Sequence, residues 1–378
     1  MKIIHLADTH LGYSAYRKLT SEGINQREVD IYTSFERTID KIIDSKPDLV
    51  LHAGDLFDAV RPTNRAITIA LHQMIRLSEK QIPVVLIAGN HETPKLQETG
   101  HIFKIFDHVK NIYPIYNNKY ELHTFTIDQK KVSIHAIPQC QSEEEFNAEL
   151  QKVAPDTTAK INIFIAHAAV SDLKTFQMNE FNELSLPLKK IYKNFDYVAL
   201  GHYHTHTEIF PNVFYAGSTE RLSFNEAQDK KGYIELHIEE KIRPLFIEIP
   251  VRTMIDFEPI NCTNLNLETL TKKIHEKIRN IDPKEKIIRI RLINIPNHIY
   301  RGLDITSIRE LCKGCIHIEI KSEFQKQDIS GISENIKLES LANEFQKYMK
   351  TINIPEKEKI KKIGLEYITK IESIEREK

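Results

Sequence analysis

The first 250 residues alternate short apolar runs with stretches of helical spacing. The runs are Lys2–Ala7, Leu49–Ala53, Pro83–Ala88, Ile161–Ala166, Tyr197–Leu200 and Val213–Ala216. They are rich in Val, Ile, Leu and Phe and are bounded by Gly, Asp, Asn or His. Short continuous runs of this kind predict strands buried on both faces, as in an α/β domain. Between them Thr33–Ser45 and Thr63–Lys80 have helical spacing, and Pro62-Thr63 marks a helix start. The pattern shifts near Pro250. Residues 255–321 read strand, helix, strand, helix, strand, and Ile288-Arg289-Ile290-Arg291-Leu292 alternates as a half-buried strand does. Gln325–Glu334 is polar and holds Ser330-Gly331, the composition of a linker. Leu338, Leu341, Phe345, Tyr348 and Ile352 then recur at helical spacing. Pro355 interrupts, and Ile360, Ile363, Tyr367, Ile371 and Ile374 resume the stripe. The expected divisions are 1–250, 251–324, a linker at 325–337, and a helix pair at 338–378.

Composition narrows the class. Of 378 residues, 41% are hydrophobic and 28% charged, a globular balance that excludes a disordered chain. Four cysteines are too few for a disulfide framework, and Cys312-Lys313-Gly314-Cys315 lacks two further ligands close by. That pair reads as small packing residues. No apolar run is long enough to span a bilayer, and Met1–Asp8 lacks a signal-peptide core, so a cytoplasmic protein is expected. Lys and Arg number 52 against 53 Asp and Glu, so any surface for nucleic acid must be local. From Leu270 to Lys321 the count is 12 Lys and Arg against 6 Asp and Glu, which makes the second division the basic one.

The chemistry lies at the strand ends. Successive runs lead into Asp8-Thr9-His10, Gly54-Asp55-Leu56-Phe57-Asp58, Gly89-Asn90-His91-Glu92, His167 and Gly201-His202-Tyr203-His204. Ligands of open α/β sheets gather beyond the carboxyl ends of strands, so these groups converge. Asp8 and His10, at i and i+2, face one side if the backbone is extended, and His202 and His204 repeat that spacing. Carboxylate, imidazole and amide oxygen suit Mn²⁺, Fe²⁺ or Zn²⁺. Seven such groups suit two ions, and the carboxylate in the Gly54-Asp55 turn is the natural bridge. A histidine standing alone is more often a core or surface residue, and His101, His108, His123 and His206 fall in that class.

This order of motifs resembles the calcineurin-like metallophosphoesterases. Narrower features are Leu6-Ala7-Asp8-Thr9-His10-Leu11-Gly12, Arg61-Pro62 after Asp58, and Tyr215-Ala216-Gly217-Ser218-Thr219-Glu220-Arg221. They resemble the DNA double-strand-break repair nucleases of the meiotic recombination 11 and SbcD type, strongly over residues 1–225. The resemblance implies a four-layer αββα sandwich, a small α/β capping domain that contacts DNA, and a C-terminal helix pair. It also implies two Mn²⁺ ions per subunit, with other divalent metals possible. One ion takes Asp8, His10 and His204, the other takes Asn90, His167 and His202, and Asp55 bridges them. His91 would act at the scissile phosphate. Asp58 stands where some relatives have histidine, and a carboxylate there would orient a neighbouring ligand. Arg289 and Arg291 are the expected phosphate contacts. The implied activity is 3′-to-5′ exonuclease and endonuclease cleavage at double-stranded DNA ends and hairpins. The implied partners are a coiled-coil ABC-type ATPase of the SbcC type, docked by the helix pair, and a second copy of the chain. The dimer would form through Thr63–Lys80 and Lys95–Lys110, with Ile67, Leu71, Met74, Ile102 and Phe106 as apolar candidates. The competing readings are another calcineurin-like phosphatase or phosphodiesterase, and a non-catalytic scaffold bridging DNA ends.

Overall fold

The computed structural model describes residues 1–171, 183–325, 345–346, 348–350 and 357–376. Met1–Phe324 forms one compact unit and Gln325–Lys378 another. All six apolar runs are strands, in two six-stranded sheets. In the first sheet the order is Ile242–Glu248, Gly232–Ile238, Lys2–Leu6, Leu49–Ala53, Val84–Ile87, Ile112–Ile115. Its last four strands are parallel, with Ile3 opposite Leu49 and Val50 opposite Val84. In the second the order is Thr207–Phe210, Val213–Tyr215, Tyr197–Gly201, Ile161–His167, Lys130–Ile137, Glu121–Ile127. Its middle four are parallel, and Gly201 lies opposite His167.

The hairpins Glu121–Ile127 with Lys130–Ile137 and Gly232–Ile238 with Ile242–Glu248 are absent from the apolar runs of the sequence. Their outer strands, Glu121–Ile127 and Ile242–Glu248, alternate half-buried with exposed positions. Edge strands with one wet face leave no continuous apolar run to read.

The layers follow from which faces are apolar. Ile3, Leu49, Leu51, Val85, Ile163, Ile165 and Ala199 are buried between the sheets. The helices Gln26–Ser45 and Asn64–Glu79 cover the outer face of the first sheet through Phe35, Ile39, Met74 and Leu77. The short helix Glu143–Leu150 and the turn Leu188–Lys190 cover the second through Phe146, Leu188 and Ile191. This is the expected four-layer αββα sandwich.

Thr63 caps the second helix by accepting from Ala66 N at 3.2 Å, as the Pro62-Thr63 signal implies. The first helix begins at Gln26, seven residues before the expected Thr33, capped by Asn25. Its first turns are polar yet buried: Arg27 meets Asp30 at 2.7 Å and Glu220 at 3.6 Å. Apolar periodicity cannot register a buried ion pair. The expected helix at Lys95–Lys110 is replaced by two short 3₁₀ turns, Gln97–Thr99 and Ile102–Phe106. Phe103 and Phe106 both point into the core, and three-residue spacing aligns side chains on a 3₁₀ turn. Met74 and Phe106, offered for a dimer face, are consumed by the chain's own core, whereas Ile67, Leu71 and Ile102 stay half-buried.

A smaller sheet follows. Its long strand Ile287–Ile295 pairs in parallel with Met254–Asp256, Ile260–Asn261 and His317–Phe324. The helices Leu267–Arg279 and Ile305–Leu311 cover it through Leu270, Ile274 and Ile308, with Cys262 and Cys312 filling the same core. In the C-terminal unit, Lys357–Arg376 is helical. Its Gly364 lies under the Phe345 ring, where a Cβ would stand 2.4 Å from the ring. Tyr348, Ile360, Ile363 and Tyr367 are exposed there. Leu338, Leu341 and Ile352 lie outside the described residues, as does all but Gln325 of the 325–337 linker. Among the described residues no helix is long and apolar enough to cross a membrane.

His5 stitches the two sheets together. Its Nδ1 lies 3.0 Å from Tyr197 Oη and its Nε2 lies 3.2 Å from the Leu200 carbonyl. Burial pushes His5, and likewise His52, from the ordinary 6.5 down to about 3. Below pH ~6.5 the unfolded chain takes up protons that these folded rings refuse, so stability falls as pH drops towards about 3. The loss is roughly 1.4 kcal/mol per pH unit for each ring. Urea unfolding between pH 7.5 and 4.5 should show His5→Gln with the shallower dependence. An unchanged slope would mean that the ring already titrates in the folded protein.

Candidate metal centre

The carboxyl ends of five strands meet where the two sheets face each other. Leu6, Ala53 and Ile87 end strands of the first sheet, and His167 and Gly201 end strands of the second. The loops that follow carry Asp8, His10, Asp55, Asn90, His202 and His204. Asp8, His10, Asp55, His167 and His202 are each at most 2% exposed, and His204 is 7% exposed.

The convergence does not come from strand alternation. The first strand stops at Leu6, and Asp8 and His10 both have left-handed backbone, with φ of 51° and 46°. Asp55 (53°) and His202 (101°) do the same. Non-glycine residues adopt this region at a cost of order 1–3 kcal/mol each, and such strain collects at functional sites. The extended geometry expected for the Asp-x-His and His-x-His pairs is therefore replaced by turns. Backbone bonds hold them, with Asp8 N donating to Gly54 O and His10 N to Asp55 O, both at 3.0 Å. Glycine is required three times by proximity. A Cβ on Gly89 would stand 2.2 Å from Asp55 Oδ1, one on Gly54 2.3 Å from His167 Nδ1, and one on Gly201 2.0 Å from Ala53 O.

Each carboxylate is tied by one oxygen and presents the other. Asp8 Oδ1 accepts from His202 N at 2.9 Å, and Asp55 Oδ1 accepts from His91 N at 3.0 Å. Among the described residues, Asp8 Oδ2 is buried and accepts no hydrogen bond, and Asp55 Oδ2 is buried with only His167 Nε2, at 3.2 Å, close to it. A buried charged oxygen short of donors is expensive, so these two atoms mark where a cation belongs.

The histidines are aimed in the same way, Nδ1 held and Nε2 inward. His167 Nδ1 lies 2.8 Å from Ala53 O, and its Nε2 lies 2.9 Å from Asn90 Oδ1 and 3.2 Å from Asp55 Oδ2. His10 Nδ1 lies 3.2 Å from Asp58 Oδ1. His204 Nδ1 lies 3.4 Å from Glu226 Oε1. The Nε2 atoms of His10 and His204 stand 3.1 Å apart. Outer acceptors that fix the tautomer are what metal-binding imidazoles require. Asp8, His10 and His204 form one group with ligand atoms within 4.8 Å of one another, and Asp8, Asp55 and His167 form another. His202 joins by its backbone bond to Asp8, its ring edge-on to His167, and Nε2 3.2 Å from Glu183. Burial opposes ionisation of Asp55, but His167, His91 and His10 outweigh it and hold the carboxyl well below its usual range. Desolvation disfavours charge on His167 as well, yet Asp55 and Asp8 raise it to about 9. The donor set is hard to borderline and free of sulfur, and it fits divalent cations.

His91 forms a third such group with His10 and Asp55, but it differs from the other histidines in exposure. Its side chain is 30% exposed, against 1% for His10 and His167, so a substrate can reach it. Its Nδ1 lies 3.1 Å from the Asp58 carbonyl. Arg289 and Arg291 are not in this site. Both pair with Asp256 in the small sheet, Arg289 with two bonds of 3.0 and 2.8 Å and Arg291 at 3.3 Å.

The profile of the calcineurin-like phosphoesterases matches residues 1–206. The chain belongs to that family. Among relatives of this phosphoesterase is the DNA double-strand break repair protein Mre11 of Methanococcus maripaludis. It is 29% identical over 364 residues, 93% of this chain and 91% of the relative. The Sulfolobus acidocaldarius protein of the same name is 26% identical, over 95% and 92% of the two chains. That of Methanocaldococcus jannaschii is 33% identical over 240 residues, 61% and 60%. The likeness to the recombination-nuclease type read from the motifs is thus borne out, and with the first two it runs beyond the matched 206 residues into the small sheet.

Sequence reasoning quoted Glu92 but gave it no role. It is fully buried, and its two oxygens accept from Gly89 N at 2.8 Å and Phe57 N at 3.3 Å, strapping the Asp55 and Asn90 loops together. Burial, with Asp55 adding to it, raises its carboxyl to about 8, so the metal-free protein holds it neutral at pH 7. Glu92→Gln keeps one acceptor and turns its amide N–H₂ toward the other backbone N–H, so it should cost about 1–2 kcal/mol. Glu92→Ala, which orphans two buried N–H groups, should cost about 2–4 kcal/mol in urea unfolding. Equal costs would show that the strap is not what Glu92 contributes.

Proposed function

We propose that the chain is a nuclease requiring two divalent ions, Mn²⁺ by expectation, that hydrolyses phosphodiester bonds at double-stranded DNA ends and hairpins in double-strand-break repair. The observation that carries this reading is the pair of buried, inward-facing oxygens on Asp8 and Asp55, the first without a donor and the second met only by His167, ringed by imidazoles. Full-length likeness to repair proteins supports DNA as the substrate over phosphoprotein or cyclic nucleotide.

Asp8, His10 and His204 would hold one ion, Asn90, His167 and His202 the other, and Asp55 both. Bound ions supply Lewis acidity at the phosphoryl group and stabilise its developing charge. The chain's own residues do the rest. A water oxygen bonds to phosphorus and releases a proton to solvent, the bond to the leaving 3′ or 5′ oxygen breaks, and that oxygen takes a proton. His91, oriented through Nδ1 by the Asp58 carbonyl, is the group to deliver the proton or to stabilise the charge there. Asp58 steadies His10 through the 3.2 Å contact. In the small sheet, Arg291 is the better phosphate contact of the two arginines, because its side chain is 34% exposed against 13% for Arg289. Exposed Lys321 lies opposite Arg291 in the ladder, making one basic edge. The exposed Tyr348, Ile360, Ile363 and Tyr367 give the C-terminal unit a surface for a coiled-coil ABC-type ATPase, and Ile67 with Leu71 would face a second copy of the chain.

End-labelled linear duplex with Mn²⁺, with Mg²⁺ and with EDTA tests the reading. Metal-dependent loss of label is expected. Asn90→Ala should abolish it together with metal binding, whereas His91→Ala should slow it about 10²–10⁴-fold with the ions still bound. Hydrolysis of simple phosphomonoesters or cyclic nucleotides in preference to DNA would make the chain another phosphoesterase. Tight end-binding without cleavage would make it a scaffold.

A further inference from the structure

Lys231 is 1% exposed, and its Nζ donates to Glu226 Oε2 at 2.6 Å, to His204 O at 2.9 Å and to Ser218 Oγ at 2.9 Å. A buried lysine locked to a buried glutamate costs desolvation on both charges, and removing either partner strands the other. The pair sits directly behind His204, whose Nδ1 faces Glu226 Oε1 at 3.4 Å. Leu222 N donates to the same carboxylate at 3.2 Å. Burial opposes the charge on Glu226, but His204 and Lys231 outweigh it and keep it ionised.

Glu226 closes the 3₁₀ turn Phe224–Glu226. Phe224, at the start of that turn, packs with Met254, Ile287 and Ile316 of the small-sheet region. The Arg289 guanidinium lies 4.5 Å from its ring centroid and is clamped in place by Asp256. A three-residue turn therefore has one end under the small sheet and the other behind a histidine of the metal centre. An aromatic ring beneath a guanidinium and above an apolar cluster has little room to move.

We propose that Glu226, locked by Lys231, is the positioning residue that fixes the tautomer and direction of His204, and that the small sheet holds it there through Phe224 and Arg289. This rests on the reading of His204 as a metal ligand. Glu226 touches neither substrate nor ion. It keeps the proton on Nδ1 and so leaves Nε2 to face His10 Nε2. The small sheet thereby sets the metal affinity on the His10–His204 side as well as offering a basic edge.

Mn²⁺ titration calorimetry on the full chain without DNA tests this, with thermal melts of each metal-free variant as the check on folding. Glu226→Ala should weaken one of two binding events by about 10–100-fold, the range for losing an outer partner of a ligand. Glu226→Gln combined with Lys231→Met removes both charges but keeps an oxygen for Nδ1, and should recover affinity to within about threefold of the parent. Arg289→Ala, remote from every ligand, should weaken the same event by about three- to tenfold. Affinity unchanged in Glu226→Ala would overturn the positioning role. Where Glu226→Ala does not fold, a double variant bound as tightly as the parent supports the role, and one weakened 10-fold or more overturns it. Unchanged affinity in Arg289→Ala would overturn the link to the small sheet. A parent chain that binds no Mn²⁺, or a His204→Ala variant that keeps both events, would instead overturn the metal-centre reading on which the proposal rests.

Discussion

Two buried carboxylate oxygens, with a single imidazole between them to offset their charge, are the constraint around which the molecule is arranged. Asp8 and Asp55 come from neighbouring loops of one sheet, and each spends one oxygen on a backbone N–H, from His202 of the other sheet and from His91. Their second oxygens face inward together. In water-free surroundings two such groups repel each other unless positive charge lies between them. His167 carries that charge in the metal-free chain, which is why it is raised to about 9. Divalent ions would do so far more effectively, and His167 would then serve as a neutral ligand.

The left-handed turns follow from the same constraint. A strand that simply continued past Leu6 would send alternate side chains to opposite faces of the sheet. Turning at Asp8 and again at His10 brings both side chains to the seam between the sheets. Gly54 and Gly89 leave space that any Cβ would fill. Glu92 and the Glu226–Lys231 pair then hold the loops from behind. Among the described residues, four of the thirteen non-glycine positions with positive φ, Asp8, His10, Asp55 and His202, lie within this small volume, with the buried Glu92, Glu226 and Lys231 behind them.

Much of this was legible in the sequence. Six apolar runs gave six parallel-sheet strands because strands buried on both faces have nothing else to be. The order of Asp, Gly-Asp, Gly-Asn-His, His and Gly-His-x-His at strand ends placed the site because ligand loops in such sheets leave from carboxyl ends. What could not be read was whatever depends on pairing across long sequence distances. Glu226 and Lys231 look like ordinary surface residues until the fold puts them behind His204. The helix start at Gln26 was hidden by a buried ion pair, the outer hairpin strands by their wet faces, and the inner ones by buried polar residues such as Ser133, His135 and Glu235. Arg289 and Arg291 alternate correctly for a half-buried strand, but nothing local reveals that Asp256 is paired with both.

The most direct measurement is anomalous diffraction at the manganese edge from crystals soaked in Mn²⁺. Two peaks per chain, one on either side of Asp55, with Asp8, His10 and His204 around one and Asn90, His167 and His202 around the other, are the predicted result. A single peak, or none within the reach of Asp8 Oδ2 and Asp55 Oδ2, would contradict the claim that these buried oxygens exist to hold two cations.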